Sequence, residues 1–170
     1  MSLTELPFNY PGRIFRSPMP FSAYDPSGDL IDAYQRADIS VIVLLASDEE
    51  CQSRLGRDLR GFYQNRGWEV IYYPIPDFGV PAESESFNQV IDDTIAKLCS
   101  GKNVVVHCNA GLGRTGIFLV CIAKKTWNYS AEEAVEWVRK YVPEAVENPV
   151  QYQYVIDPTE PGKFYVDHQC

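Results

Sequence analysis

The chain has 170 residues, 45% of them hydrophobic and 22% charged, the make-up of one ordinary globular domain with enough apolar side chains for a core. A net charge of −8 excludes a surface built for nucleic acid or anionic lipid, and no apolar run approaches the ~20 residues that span a bilayer. Five cysteines with no C-x-x-C pair, and an N-terminal stretch (Met1 to Phe8) without the basic and apolar regions of a secretory signal, lead us to expect a reduced, cytoplasmic, monomeric protein. Cys170 as the final residue leaves no prenylation box.

Residues 7–26 are rich in proline and glycine, with turns at Pro11-Gly12 and Asp25-Pro26 and a short strand at Arg13 to Arg16. Asp29 to Ala37 reads as a helix with an apolar face of Leu30, Ile31, Ala33, Tyr34 and Ala37. Ser40 to Ala46 (SVIVLLA) is continuously apolar, as in a strand buried on both faces. Ser47-Asp48-Glu49-Glu50 opens a helix, its acids suited to the positive end of the dipole. Leu55, Leu59, Phe62 and Tyr63 form its stripe, and Gly67 ends it. Arg54, Arg57, Arg60 and Arg66 are assigned to its solvated face. Glu69 to Ile75 is the next strand, followed by the stiff segment Pro74-Ile75-Pro76-Asp77-Phe78-Gly79-Val80-Pro81. Ser84 to Cys99 is an amphipathic helix stopped by Gly101. A strand at Val104 to Val106 and an apolar helix to about Lys125 come next. Ser130 and Glu133 make a capping box for a helix from 131 to about Tyr141, and Asn148-Pro149 starts another. Strands alternating with helices predict right-handed βαβ crossovers. We therefore expect a single α/β domain over residues 1–170, with a mainly parallel central sheet flanked by helices.

Between that strand and that helix lies His107-Cys108-Asn109-Ala110-Gly111-Leu112-Gly113-Arg114-Thr115-Gly116. A loop of this length, relaxed by Gly111 and Gly113, can curl until its N–H groups converge above the Cys108 sulfur. The following helix N-terminus reinforces that anion nest. N–H dipoles favour a thiolate; helix N-termini and nearby cations bring such cysteines to roughly 3.5–7.5. The same dipoles, from Asn109, Ala110, Gly111, Leu112, Gly113 and Arg114, hold a phosphate dianion, so nucleophile and substrate share one site. Arg114 presents a planar fork to two phosphate oxygens, in the ground state and in the trigonal-bipyramidal transition state. The Thr115 hydroxyl can donate to the sulfur and make it a better leaving group. His107 is expected to orient the loop by bonding to backbone, without acting as the base.

His-Cys-x5-Arg-Thr resembles the signature of the cysteine-dependent protein tyrosine phosphatases, and the AGLGRTG form is similar to their dual-specificity branch. The resemblance implies a phosphotyrosine-phosphatase-like fold and metal-free, cofactor-free hydrolysis through a phosphocysteine intermediate. Substrates would be phosphorylated proteins or peptides, carrying phosphotyrosine and also phosphoserine or phosphothreonine. The leaving oxygen needs a proton, and Asp77 stands just past a strand end, where α/β enzymes collect their sites. An aspartate on such a loop is the family's general acid, later the base that activates water. The tryptophan that marks this loop in the classical enzymes is missing here. Glu147-Asn148-Pro149-Val150-Gln151 resembles a segment that packs behind the signature loop in some relatives, which would make Gln151 a supporting residue. Arg16-Ser17 resembles the opening strand of small members. Some relatives protect an oxidised nucleophile by a disulfide, and Cys51 is the candidate partner; Cys121, within an apolar helix, is read as core.

Four rival readings stay in view. Phosphoinositide hydrolysis is disfavoured by the acidic charge and by Asn109 and Leu112, which stand where lipid-acting relatives often carry lysines; RNA 5′-triphosphatase activity meets the same charge objection. A catalytically silent phosphopeptide-binding module would show a damaged signature, yet Cys108, Arg114, Thr115 and Asp77 are all present. A rhodanese-type sulfurtransferase is disfavoured by the Arg-Thr pair and the upstream acid.

Overall fold

The computed structural model describes residues 2–157; Cys170 lies outside them. Five strands form one sheet in the order β1-β2-β5-β3-β4. The strands are β1 (Thr4–Leu6), β2 (Ile14–Ser17), β3 (Ile39–Leu44), β4 (Glu69–Tyr72) and β5 (Asn103–His107). Only β1 is antiparallel to its neighbour; the other pairings are parallel, as the alternation of strands and helices demands. The apolar runs of β3 and β5 put these two strands side by side at the middle, with Leu44 opposite His107.

The helices cover both faces, which is why the central strands are apolar on both sides. On one face α1 (Asp29–Arg36), α2 (Asp48–Leu55) and α3 (Leu59–Asn65) bury Ile31, Tyr34, Cys51, Leu59 and Tyr63 against Phe15, Ile42, Leu44 and Val105. On the other face α4 (Ser84–Cys99), α5 (Gly113–Trp127), α6 (Ala131–Arg139) and α7 (Pro149–Ile156) pack on Ile14, Val41, Val43, Val104 and Val106. The caps fall where the sequence puts them. Ser130 and Glu133 close the capping box, and the Asn148 side chain accepts from Gln151 N–H ahead of Pro149.

Three expectations need correction. The single helix read from Ser47 to Gly67 is two, because Gly56 takes a left-handed conformation (φ 66°) and Asp58 caps α3 afresh. The strand expected at Glu69 to Ile75 stops at Tyr72; beyond it the chain still bonds to β3, from Tyr73 N–H to Leu44 O and from Ile75 N–H to Leu45 O, which carries the Pro74–Pro81 loop alongside the sheet's end. β1 is an addition: three residues are too short for a readable alternation, and the strand exists because β2 offers it an edge.

Candidate active site

The parallel register places the C-terminal ends of β2, β3 and β5 together, and the loop after β5 rises between them. It is fixed from outside by β2 and its continuation. Met19 N–H donates to Asn109 O at 2.8 Å. At Gly111 (φ 73°) a Cβ would sit 2.1 Å from Ser17 O, so only glycine allows this approach. From below, His107 bonds through Nδ1 to its neighbour's carbonyl, Cys108 O, at 3.0 Å, and through Nε2 to the Tyr63 hydroxyl at 2.9 Å. Nδ1 must donate to the carbonyl, so Nε2 accepts from Tyr63 and the ring is neutral. Burial, chiefly, pushes the His107 imidazolium down to about 4.

Cys108 is buried beneath the loop, and Thr115 Oγ1 donates to its sulfur at 3.3 Å. Arg114 projects from the first turn of α5 into a cage of acceptors. Its Nη1 donates to Glu50 Oε2 (2.7 Å) and to Ile75 O (3.1 Å); its Nη2 donates to Glu50 Oε1 (2.9 Å) and to Asp77 Oδ1 (2.8 Å). Nε–H makes no hydrogen bond among the described residues. The guanidinium is 2% exposed. Burial alone would lower its pKa, but Glu50, Cys108 and Asp77 outweigh that and raise it. Burial likewise favours a neutral Glu50, yet Arg114 and then Arg54 hold its carboxyl below the ordinary range. Glu50 thus aligns the fork and balances its charge in the fully paired arrangement a buried ion pair requires.

Asp77 accepts on both oxygens, from Arg114 and from Arg54 Nη2 (2.8 Å). It therefore occupies an anion's place on the Arg114 fork, and neither oxygen is free to deliver a proton. The Pro74–Pro81 loop is latched on its far side by Asn148 Nδ2, which donates to Phe78 O (2.9 Å), and by Gln151 Nε2, which donates to Gly79 O (3.2 Å). The Gln151 side chain is buried against the signature loop: a Cβ at Gly113 would lie 2.7 Å from its Oε1 and 2.0 Å from Glu147 Oε1. Burial, and then the charge of Asp77, raise the Glu147 carboxyl.

Asn109, Ala110, Leu112 and Gly113 lie in the segment between Cys108 and Arg114. Cys51 is elsewhere. It packs in the cluster on the opposite sheet face from Cys108, and its thiol is pushed up to about 12 by burial, then by Glu50 and Asp48. Arg16, on β2 beside Val106, is 8% exposed, and its Nε and Nη1 have no hydrogen-bond partner among the described residues. Burial lowers its pKa and the nearby Cys108 opposes that.

Glu50, Arg54 and Asn148 are site residues that the sequence reading did not assign. Glu50 was readable only as a first-turn acid and Arg54 as a solvated cation, although both follow directly from a strand ending beside the signature loop.

A family model described as a polymorphic toxin system DSP-PTPase phosphatase matches residues 23–127, from the turn before α1 through the signature loop to the end of α5. The dual specificity protein phosphatase CDC14B of Mus musculus is 35% identical over 83 residues, 48% of this chain and 16% of that protein, so the chain spans a small part of this relative. The crystal structure of Tk-PTP in its active form aligns with a TM-score of 0.70 at 32% identity, over 84% of this chain and 88% of that one. Kinase associated phosphatase, crystallised with a serine in place of its catalytic-site cysteine, aligns at 0.81 over 91% and 92% of the two chains; at 19% identity it shows a shared fold.

Proposed function

The chain belongs to the DSP-PTPase branch of the cysteine-dependent protein tyrosine phosphatases, and from that premise we propose that it hydrolyses phosphomonoesters of proteins at Cys108. The observation that carries this reading is the buried Cys108 sulfur receiving the Thr115 hydroxyl beneath a loop whose next-door arginine is held in a fixed fork.

The phosphate enters with two oxygens on Arg114 Nε and Nη2 and the others on the loop N–H groups. Cys108 Sγ attacks phosphorus in line, the S–P bond forms, and the P–O bond to the leaving group breaks. Asp77, displaced from Arg114 and then protonated from solvent, passes that proton to the departing oxygen. Asp77, now a base, takes a proton from water as that water attacks the phosphocysteine. The S–P bond breaks, and the Thr115 hydroxyl stabilises the departing sulfur. Every group needed comes from side chains and backbone of this chain.

Phosphotyrosine places its phosphorus farther from the peptide backbone than phosphothreonine does, so wall height around Cys108 sets selectivity. We infer a low wall here, formed by residues 16–26 and by the Phe78 ring, which is exposed. We expect phosphotyrosine peptides to be hydrolysed, with lower kcat/KM on phosphothreonine and phosphoserine peptides. Side-by-side kcat/KM values test this: no turnover of phosphothreonine or phosphoserine peptides contradicts the low wall, and preference for a phosphoinositide over every peptide contradicts the protein-substrate reading. No helix among the described residues is long and apolar enough to cross a membrane; we take the protein to act as a cytoplasmic monomer.

A further inference from the structure

Arg54 stands at the hinge between the resting and the working site. Its Nε donates to Glu50 Oε1 (3.1 Å) and its Nη2 to Asp77 Oδ2 (2.8 Å). Glu50 is already committed, since both its oxygens accept from Arg114 and Oε1 is shared. Among the described residues, Asp77 Oδ2 is therefore the one carboxylate oxygen that Arg54 holds without sharing it with Arg114. When phosphate takes the Arg114 fork and Asp77 turns to the leaving group, Arg54 loses that partner. Its side chain is 39% exposed, so a cation is then presented to solvent at the rim.

The surroundings suit a ligand group. Arg54 forms a wall shared by two neighbouring cavities. One, of about 420 Å3, runs along Ser47, Glu50 and the Pro74–Asp77 segment. The other, of about 260 Å3, is lined by Ser22, Ala23, Tyr24 and Asn109. Asn109 directly follows the nucleophile, so the second cavity opens beside the scissile phosphate. Tyr24 is exposed at its edge, and the neighbouring Arg57 guanidinium lies over the Phe21 ring at 4.1 Å, adding positive charge.

We propose that Arg54 binds a second oxyanion of the substrate, so that the preferred substrates are phosphopeptides with an acidic or a second phosphorylated residue beside the scissile one. This deepens the phosphatase reading and rests on it. Coupling follows from the geometry: the substrate's own anion replaces Asp77 on Arg54 and frees the acid for the leaving oxygen. Binding of the flanking anion therefore favours the catalytically competent loop.

The test compares kcat/KM on three versions of one phosphotyrosine peptide, flanked by Gln, by Glu or by phosphoserine, in the wild type, Arg54→Gln and Arg54→Lys proteins. Only ratios within each protein are read, so any shared loss through the Asp77 tether cancels. The wild type should favour the Glu peptide over the Gln peptide by about five- to tenfold. It should favour the phosphoserine peptide more, with both preferences shrinking in high salt. Arg54→Gln should bring the ratios close to unity, and Arg54→Lys should keep part of them. Equal rates on all three peptides in the wild type, or an unchanged preference in Arg54→Gln, overturns the proposal while leaving the phosphatase reading intact. Absence of turnover on any phosphopeptide or aryl phosphate overturns that reading itself.

Discussion

Replacing Asp77 with alanine should have two opposite effects, because this carboxylate is the acid of the proposed mechanism and also occupies Arg114. The first is loss of the proton donor, which costs ~10²–10⁴ in kcat when the leaving group is poor and little when it departs unassisted. The second is tighter binding of oxyanions. Asp77 Oδ1 takes a charge-assisted hydrogen bond from Arg114 Nη2 at 2.8 Å, a contact of roughly 1.5–3 kcal/mol. The carboxylate is 33% exposed, so solvent screening reduces that to about 1–2 kcal/mol. Glu50 remains to hold the fork in place. Inorganic phosphate or vanadate should therefore inhibit Asp77→Ala about five- to thirtyfold more tightly than wild type. The assay is steady-state turnover of a series of aryl phosphates of graded leaving-group acidity, with competitive inhibition constants measured in parallel. An equal kcat loss across the series, together with unchanged inhibition, would refute both roles.

Arg16→Met should raise the melting temperature while lowering kcat/KM, since a buried guanidinium whose Nε and Nη1 have no partner among the described residues is replaced by an apolar chain, a change of about 1–3 kcal/mol in stability; a fall in both would mean that Arg16 serves packing alone. His107, held neutral with its pKa down to about 4, binds a proton less readily folded than unfolded. Its contribution to stability is complete above the unfolded value near 6.5 and is lost as pH falls towards 4, up to about 3 kcal/mol, so His107→Gln should flatten that part of the wild-type stability profile measured by denaturant titration. Cys51 is buried in the cluster on the opposite sheet face with its thiol pushed up to about 12, which makes it a poor nucleophile towards an oxidised Cys108. Peroxide should give sulfinic acid at Cys108 before any Cys51–Cys108 disulfide, and mass spectrometry showing prompt disulfide formation would contradict that order.

Much of the frame is legible in the residues because its causes are local. SVIVLLA and VVVH are apolar without interruption, and only a strand covered on both faces accommodates that. The Ser130–Glu133 box and Asn148-Pro149 mark helix starts within four residues of chain. The signature loop is legible for the same reason: nucleophile, glycines, arginine and threonine are consecutive. What escaped depends on partners far apart. Glu50 and Arg114 are 64 residues apart, and Arg54 and Asp77 are 23 apart; nothing near Glu50 distinguishes it from Glu49, which merely crowns the same helix turn. The break at Gly56 was hidden because Leu55 and Leu59 keep helical spacing across it. Arg54 shows the limit most clearly, since an arginine on the outward side of a helix reads as solvated until the acid loop is seen lying over it.

The account's central claim is that the phosphoryl group passes through the Cys108 sulfur. Rapid mixing of Asp77→Ala protein with a good aryl phosphate, acid quenching and peptide mass spectrometry read this directly, because attack is unassisted there while hydrolysis of the intermediate lacks its base. The account predicts one phosphoryl group on Cys108, formed and lost at rates that match turnover, and neither label nor turnover in Cys108→Ser. A phosphoryl group on another residue, or sustained turnover by Cys108→Ser, would contradict it.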